Sequence, residues 1–216
     1  CVHLLALPGS TGAVPMAEAV DRAGADAAAL AEGGCDAVII ENFHDAPFFK
    51  ENVPAETAAG ITACALAARE AGLPIGINVL RNDVRSALGI AAVTGAVFVR
   101  ANVLAGAVVA DQGLIEGHAA EWARVRAALC PDVEILADVA VKHAAPLAPR
   151  PPAAEARDLV LRAGADGLIV TGPATGSPPT SADLEAVREG AAGHPVFVGS
   201  GTTAENAKLL AAAADG

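Results

Sequence analysis

Cations are scarce in this chain. Lys and Arg number 14 against 25 Asp and Glu, leaving a formal charge of −11 and a pI near 4.8. A nucleic-acid partner would show as a basic stripe, and docking on anionic lipid would need the same, so neither is expected. The acidic balance is read as a source of solubility. Cysteine is equally sparse. Cys1, Cys35, Cys64 and Cys130 stand singly and share no CxxC spacing, which predicts small buried thiols in a reducing compartment rather than a disulfide frame or a zinc site. No stretch approaches the roughly 18 unbroken apolar residues of a membrane span, so membrane insertion is not expected and only peripheral association stays open. The apolar opening Val2–Leu7 ends at Pro8-Gly9 and has no basic lead, unlike a secretory signal, and the expected location is the cytoplasm.

What the chain has in quantity is apolar surface in a regular rhythm. It is 53% hydrophobic and only 18% charged over 216 residues, enough for one domain with a large core. Short β-rich runs recur: VHLLAL, AVIIEN, PIGINVL, VFVRAN, EILADV, GLIVTG and PVFVGSG. Ala-rich stretches with apolar residues three and four apart lie between them, opening at Pro, Asp or Ser and stopping at Gly or Pro. Strand starts fall roughly 22 to 38 residues apart, the spacing of βα units in a parallel sheet. A doubly wound sheet would gather its polar residues at one switch point. Here they gather at the C-terminal end of nearly every strand, so the expected fold is an α/β TIM (β/α)8 barrel. The expected organisation is a single domain over residues 1–216, with the eighth strand beyond Gly216.

Side chains alternate across a strand, so parity sorts those facing the barrel axis from those facing the helices. Arg100 and Asn102 share a parity with Phe98, Asn78 is out of phase with Ile75, Ile77 and Val79, and Asp138 pairs in phase with Lys142. Glu41 and Asn42 end the second strand, and only one of them can face inward. Any one of these residues could serve an internal salt bridge or a loop cap. As a set from different strands they predict one polar pocket, because a buried charge costs several kcal/mol unless it is paired. Glu41, Asp138, Lys142 and His143 are the candidate catalytic residues. Lys142 has two open roles: a retained cation holding a phosphate or carboxylate, favoured by nearby Asp138, or an amine of lowered pKa acting as base or Schiff-base nucleophile. His3, Glu41, Asp138 and His143 have no diagnostic metal-ligand spacing, so neither a metal nor any other cofactor is expected.

Two glycine-rich loops suggest a grip on phosphate. Gly199-Ser200-Gly201 lies between the last strand and a helix start, where backbone N–H groups and a helix dipole favour an anion. Thr171 and Gly172 open a second such loop. The segment Val103–Gly117 carries Asp111 and exceeds an ordinary βα turn, so it reads as a lid or as a plain surface loop. The candidate substrate-binding set is Asn78, Arg100, Asn102, Asp111, Thr171, Gly172, Gly199, Ser200 and Gly201.

The stretches VHLLALPGS, DAVIIENFHDAPF, INVLRND, FVRANVLAG with DQG, ADVAVKHAAPL, TGPATG and VGSGTT resemble, in order and over essentially the whole chain, the signature stretches of the BtpA/SgcQ family. Departures occur at Leu5-Ala6, where the family tends to proline, at His44, where it favours glycine, and at Ala110, where threonine is common. The resemblance implies a barrel. The family takes its name from a cyanobacterial factor needed for photosystem I accumulation and associated peripherally with thylakoids. Relatives also occur in organisms without photosynthesis, and one branch sits among sugar-uptake genes. Two functions are therefore weighed. One is an isomerase- or lyase-type enzyme whose partner is a phosphorylated small molecule, a sugar phosphate or nucleotide-derived one. The other is a non-catalytic biogenesis factor for a membrane protein complex such as photosystem I. A homo-oligomer is the expected assembly.

Overall fold

The computed structural model describes residues 1–216. It falls into two compact units, Cys1–Arg100 with Arg124–Val133, and Ala101–Ala123 with Glu134–Gly216. In the first unit β1 (Val2–His3), β2 (Val38–Glu41), β3 (Ile75–Asn78) and β4 (Phe98–Ala101) alternate with α1 (Met16–Glu32), α2 (Ala55–Arg69) and α3 (Val84–Thr94). The strands pair in that order, and every pairing is parallel. Helices on a parallel sheet leave its strands with almost no wet face, and all four residues of β3 are buried.

Local chemistry sets the boundaries. Pro15 and Pro54 precede α1 and α2, where a residue without an amide hydrogen costs nothing. Asp83 caps α3 by accepting from the Ser86 N–H at 2.9 Å, and Gly95 ends it in the left-handed conformation at φ 73°. Helix α1 buries Ala19, Ala23 and Ala27, one alanine per turn, which lets α2 approach closely. The core is aliphatic: Leu4, Leu7, Ile40, Ile61, Ile75, Ile77 and Leu88 are all less than 2% exposed. Cys64 lies inside it, and burial, with a smaller contribution from the negative charge of Asp45, pushes its thiol up to about 11. Cys130 is buried as well, whereas Cys1 and Cys35 are exposed and no cysteine is in a disulfide. The expectation of four buried thiols thus holds for two.

The second unit contains a parallel sheet and a smaller antiparallel one. The elements in chain order are β5 (Ala107–Ala110), β6 (Gly113–Glu116), the start of α4 (Ala119–Leu129, whose residues from Arg124 on belong to the first unit), β7 (Glu134–Val139) and β8 (Ala144–Pro146). They are followed by α5 (Pro152–Leu161), β9 (Gly167–Val170), α6 (Ser181–Gly190), β10 (Val196–Val198) and α7 (Ala207–Leu210). Strands β7, β9 and β10 pair in parallel in that order. Strand β5 lies between β6 and β8, antiparallel to both. The segment expected as a lid or plain loop is therefore a hairpin with a third strand. It has its own small core, in which Val108, Ala110 and Ala144 pack on Val103, Ile115 and Val141. The last two residues extend the parallel sheet's hydrogen bonding, since Asp215 N–H donates to Val196 and Val198 N–H donates to Gly216.

Gly76 and Phe98 are register partners on β3 and β4. A Cβ on Gly76 would lie 2.0 Å from the Phe98 ring, so the glycine makes room for the aromatic side chain. Replacing Gly76 by Ala is expected to destabilise the chain by about 1–3 kcal/mol through overpacking. Urea unfolding checks this, and adding Phe98→Ala in the same chain should abolish most of the increment caused by the new methyl group.

Candidate functional site

Register builds the first part of the site. His3 is the partner of Glu41 across β1–β2, and Glu41 is the partner of Asn78 across β2–β3. In-register residues of neighbouring parallel strands project to the same face, so the three side chains form a row at the strands' C-terminal ends. Glu41 is 6% exposed and Asn78 1%. The Asn78 Nδ2–H donates to Glu41 Oε2 at 2.5 Å, and Arg100 Nη1 lies 3.9 Å from the same oxygen. The other oxygen, Oε1, is 3.8 Å from His3 Nε2. His3 is half exposed, and its ring stacks on Phe43 with centroids 4.2 Å apart.

Asn42 points elsewhere, which resolves the ambiguity at the end of β2. Its Oδ1 accepts from the Leu80 N–H at 2.8 Å, and its Nδ2 donates to Asp45 Oδ2 at 3.1 Å. Asp45 Oδ1 in turn accepts from the Leu7 N–H at 2.7 Å. Asn42 and Asp45 together bind the segments that follow β1, β2 and β3, and so hold the row in place. Sequence reasoning passed over Asp45, and also the buried run Arg81-Asn82-Asp83. The signal was present: three polar residues directly after an apolar strand, the last of them a helix N-cap that also accepts from the Val53 N–H at 2.9 Å.

The second unit holds a separate polar pair. Asn102 Nδ2–H donates to Asp138 Oδ2 at 3.0 Å, and both residues are 3% exposed. The amide's other end, Asn102 Oδ1, is buried with no hydrogen-bond partner in the protein. Beyond β7 the chain turns through left-handed conformations at Ala140 and His143. Lys142 is partly buried. His143 is exposed, its Nε2 2.9 Å from Thr175 Oγ1. Asp111 lies at the exposed hairpin tip, where Gln112 Nε2–H donates to its carboxylate at 2.5 Å.

The glycine-rich loops work differently from a simple anion nest. Gly199 N–H is used by Val170 O at 2.8 Å. Ser200 Oγ donates to Ser177 O at 3.0 Å and accepts from Gly172 N–H at 3.2 Å. A Cβ on Gly172 would fall 2.2 Å from Ser177 O, and one on Gly201 2.2 Å from Pro178 N. These residues lock the loops after β9 and β10 together. The helix expected to offer its dipole has only four residues, and Thr203 N–H is already capped by Asn206 Oδ1 at 2.7 Å. Thr171 Oγ1 remains, a buried hydroxyl oxygen without a hydrogen-bond partner in the protein.

The structure therefore brings Glu41, Asn78 and Arg100 together in one unit, and Asn102 with Asp138 in the other. Chemically, the first group presents a carboxylate with one oxygen fixed by an amide and a guanidinium and the other turned to an imidazole. Such a carboxylate can accept a proton or bind a cation.

Comparison with known proteins bears on both fold and lineage. The BtpA family matches residues 1–216. The chain is 48% identical over 217 residues to "Photosystem I biogenesis protein BtpA" of Synechocystis, covering 100% of this chain and 76% of that protein. An uncharacterized protein of Pyrococcus abyssi is 44% identical over 217 residues, with 100% and 82% covered. Among solved structures, Mycobacterium tuberculosis tryptophan synthase superposes with a TM-score of 0.60 at 17% identity, over 89% of this chain and 74% of that one. Phosphoribosyl anthranilate isomerase of Thermus thermophilus gives 0.51 at 15% identity, over 87% and 77%. Both neighbours are TIM-barrel enzymes, and the likeness establishes the fold class.

Asp45→Ala is expected to cost about 1–3 kcal/mol, because it leaves the buried Leu7 N–H without its acceptor. Thermal unfolding monitored by circular dichroism checks it, with exposed Asp132→Ala as the neutral comparison.

Proposed function

The chain belongs to the BtpA family, and on that premise we propose that it is an enzyme acting on a small phosphorylated metabolite, a sugar phosphate or nucleotide-derived compound, by proton transfer of the isomerase or lyase type. The observation carrying this reading is Glu41, 6% exposed and oriented by Asn78 at 2.5 Å and Arg100 at 3.9 Å. Removing a buried charge from water costs several kcal/mol, and a hydrophobic row at this position would serve the core better. Isomerisation and carbon–carbon cleavage both commonly involve a positioned base, and Glu41 fills that role. Asn78 fixes its rotamer. Arg100 supplies the positive charge that attracts an anionic ligand group or a developing oxyanion. In the second unit, Asn102 Oδ1, Gln112 Oε1 and Thr171 Oγ1 are buried without a hydrogen-bond partner in the protein.

A second reading has one specific support. The 48% identical relative is named a photosystem I biogenesis protein, so a non-catalytic role in the biogenesis of a membrane protein complex is the alternative. No helix is long and apolar enough to cross a membrane.

A thermal-shift panel of sugar phosphates and nucleotides separates the two. The enzyme reading predicts that at least one compound raises the melting temperature and that Arg100→Met abolishes the rise. Glu41→Gln should keep the binding yet slow turnover of that compound about 10²- to 10⁴-fold. A panel in which no phosphorylated compound stabilises the chain would favour the biogenesis role instead.

A further inference from the structure

We propose that Cys1, His3 and Glu41 form a three-ligand site for a divalent transition ion of the zinc class. One ligand atom from each residue, a sulfur, an imidazole nitrogen and a carboxylate oxygen, lies within 4.8 Å of the other two. Cys1 and His3 are two positions apart, the spacing that sets side chains on one face of an extended chain. Glu41 joins them because it is the register partner of His3 on the next strand. The 38-residue separation of His3 and Glu41 is why no short metal motif is visible in the sequence.

The one pair distance at hand, between His3 and Glu41, suits an ion better than a direct contact. His3 Nε2 and Glu41 Oε1 are 3.8 Å apart, too far for a hydrogen bond. Two ligands of one tetrahedral zinc ion, with bonds of about 2.0–2.3 Å, stand roughly 3.3–3.6 Å apart. A small inward rotation of His3, which is half exposed, closes the difference. The outer partners already orient the donors. Asn78 and Arg100 both engage Oε2 of Glu41, which leaves Oε1 turned toward His3, and the Phe43 stack fixes the His3 ring plane. Supporting contacts of this kind hold metal ligands in place. The donor charges also balance, since a thiolate and a carboxylate neutralise a doubly charged ion. Three protein ligands with an open fourth position are the pattern of reactive rather than structural zinc, and the exposure of His3 gives the ion a way in.

The inference deepens the enzyme reading and rests on it for one point only. With an ion bound, Glu41 would be a ligand through Oε1, and a water on the open position, made more acidic by the ion, would supply the proton-transfer chemistry.

The test is a titration of the chelator-treated protein with Zn²⁺ by calorimetry, repeated with Co²⁺ to look for a thiolate-to-metal charge-transfer band. One ion per chain is expected. His3→Ala and Cys1→Ser should each abolish the stoichiometric binding, and Cys1→Ser should remove the cobalt–thiolate band. Asn78→Ala, which loosens Glu41, should weaken binding about 10- to 100-fold. Cys35→Ser should change nothing. His3→Gln serves as a second variant with a conservative shape, and circular dichroism confirms that each protein is folded. Failure of the wild-type chain to hold an ion, or equal binding by folded His3→Ala, overturns the assignment. The two readings fail separately. A protein that takes no zinc but still loses its ligand-induced thermal shift in Arg100→Met keeps the enzyme reading without the ion. Zinc binding that depends on His3, with no response to any phosphorylated compound, keeps the ion and removes the proposed substrate class.

Discussion

The pairing of three short parallel strands determines what this protein can do. One residue from each of β1, β2 and β3 is aligned by the ladder, and the aligned residues are His3, Glu41 and Asn78. A shift of one position on β2 would put Asn42 in the row and turn Glu41 toward the helices, because successive side chains alternate faces. The apolar members of the same strands, Val38, Ile40, Ile75 and Ile77, are 0–2% exposed and hold that register through their burial. Packing therefore fixes the position of a carboxylate that packing alone would not favour. Asp45 and Asn42 complete the arrangement by satisfying the backbone where the strands end.

Much of this is legible in the sequence. The βα rhythm predicted the fold class, since strands covered by helices must be apolar on both faces and must be separated by helical segments. Parity alone separated Asn78 from its apolar neighbours and put Arg100 on the same side. It could not choose between Glu41 and Asn42, because two adjacent polar residues at a strand's end satisfy either phase, and only the ladder to His3 and Asn78 decides. The hairpin Ala107–Glu116 was missed because it sits where a βα loop was expected and because its third strand, Ala144–Pro146, is distant in sequence. Neither the pattern nor the loop length reveals such a partner.

The glycine-rich loops teach a different lesson. Gly-Ser-Gly before a helix start is a sound reason to expect an anion, yet a sequence cannot say what a glycine approaches. Here Gly172 and Gly201 admit the backbone of Ser177 and Pro178, and the Ser200 hydroxyl bridges the two loops. The helix that would carry a dipole is a single turn. Cys1 is the opposite case. Its sequence context reads as one more small hydrophobe, and only the register of β1 with β2 brings a carboxylate beside its sulfur and the His3 imidazole.

The central claim is that Glu41, Asn78 and Arg100 are maintained for chemistry and oppose stability rather than support it. The most direct measurement is equilibrium unfolding in urea of a chain carrying Glu41→Met, Asn78→Leu and Arg100→Met together. Apolar side chains of similar size in place of a buried ion pair are expected to leave stability unchanged or to raise it by about 1–4 kcal/mol. A cooperative fold that instead loses about 3 kcal/mol or more would show that the row holds the sheet together, and the functional account of it would be wrong.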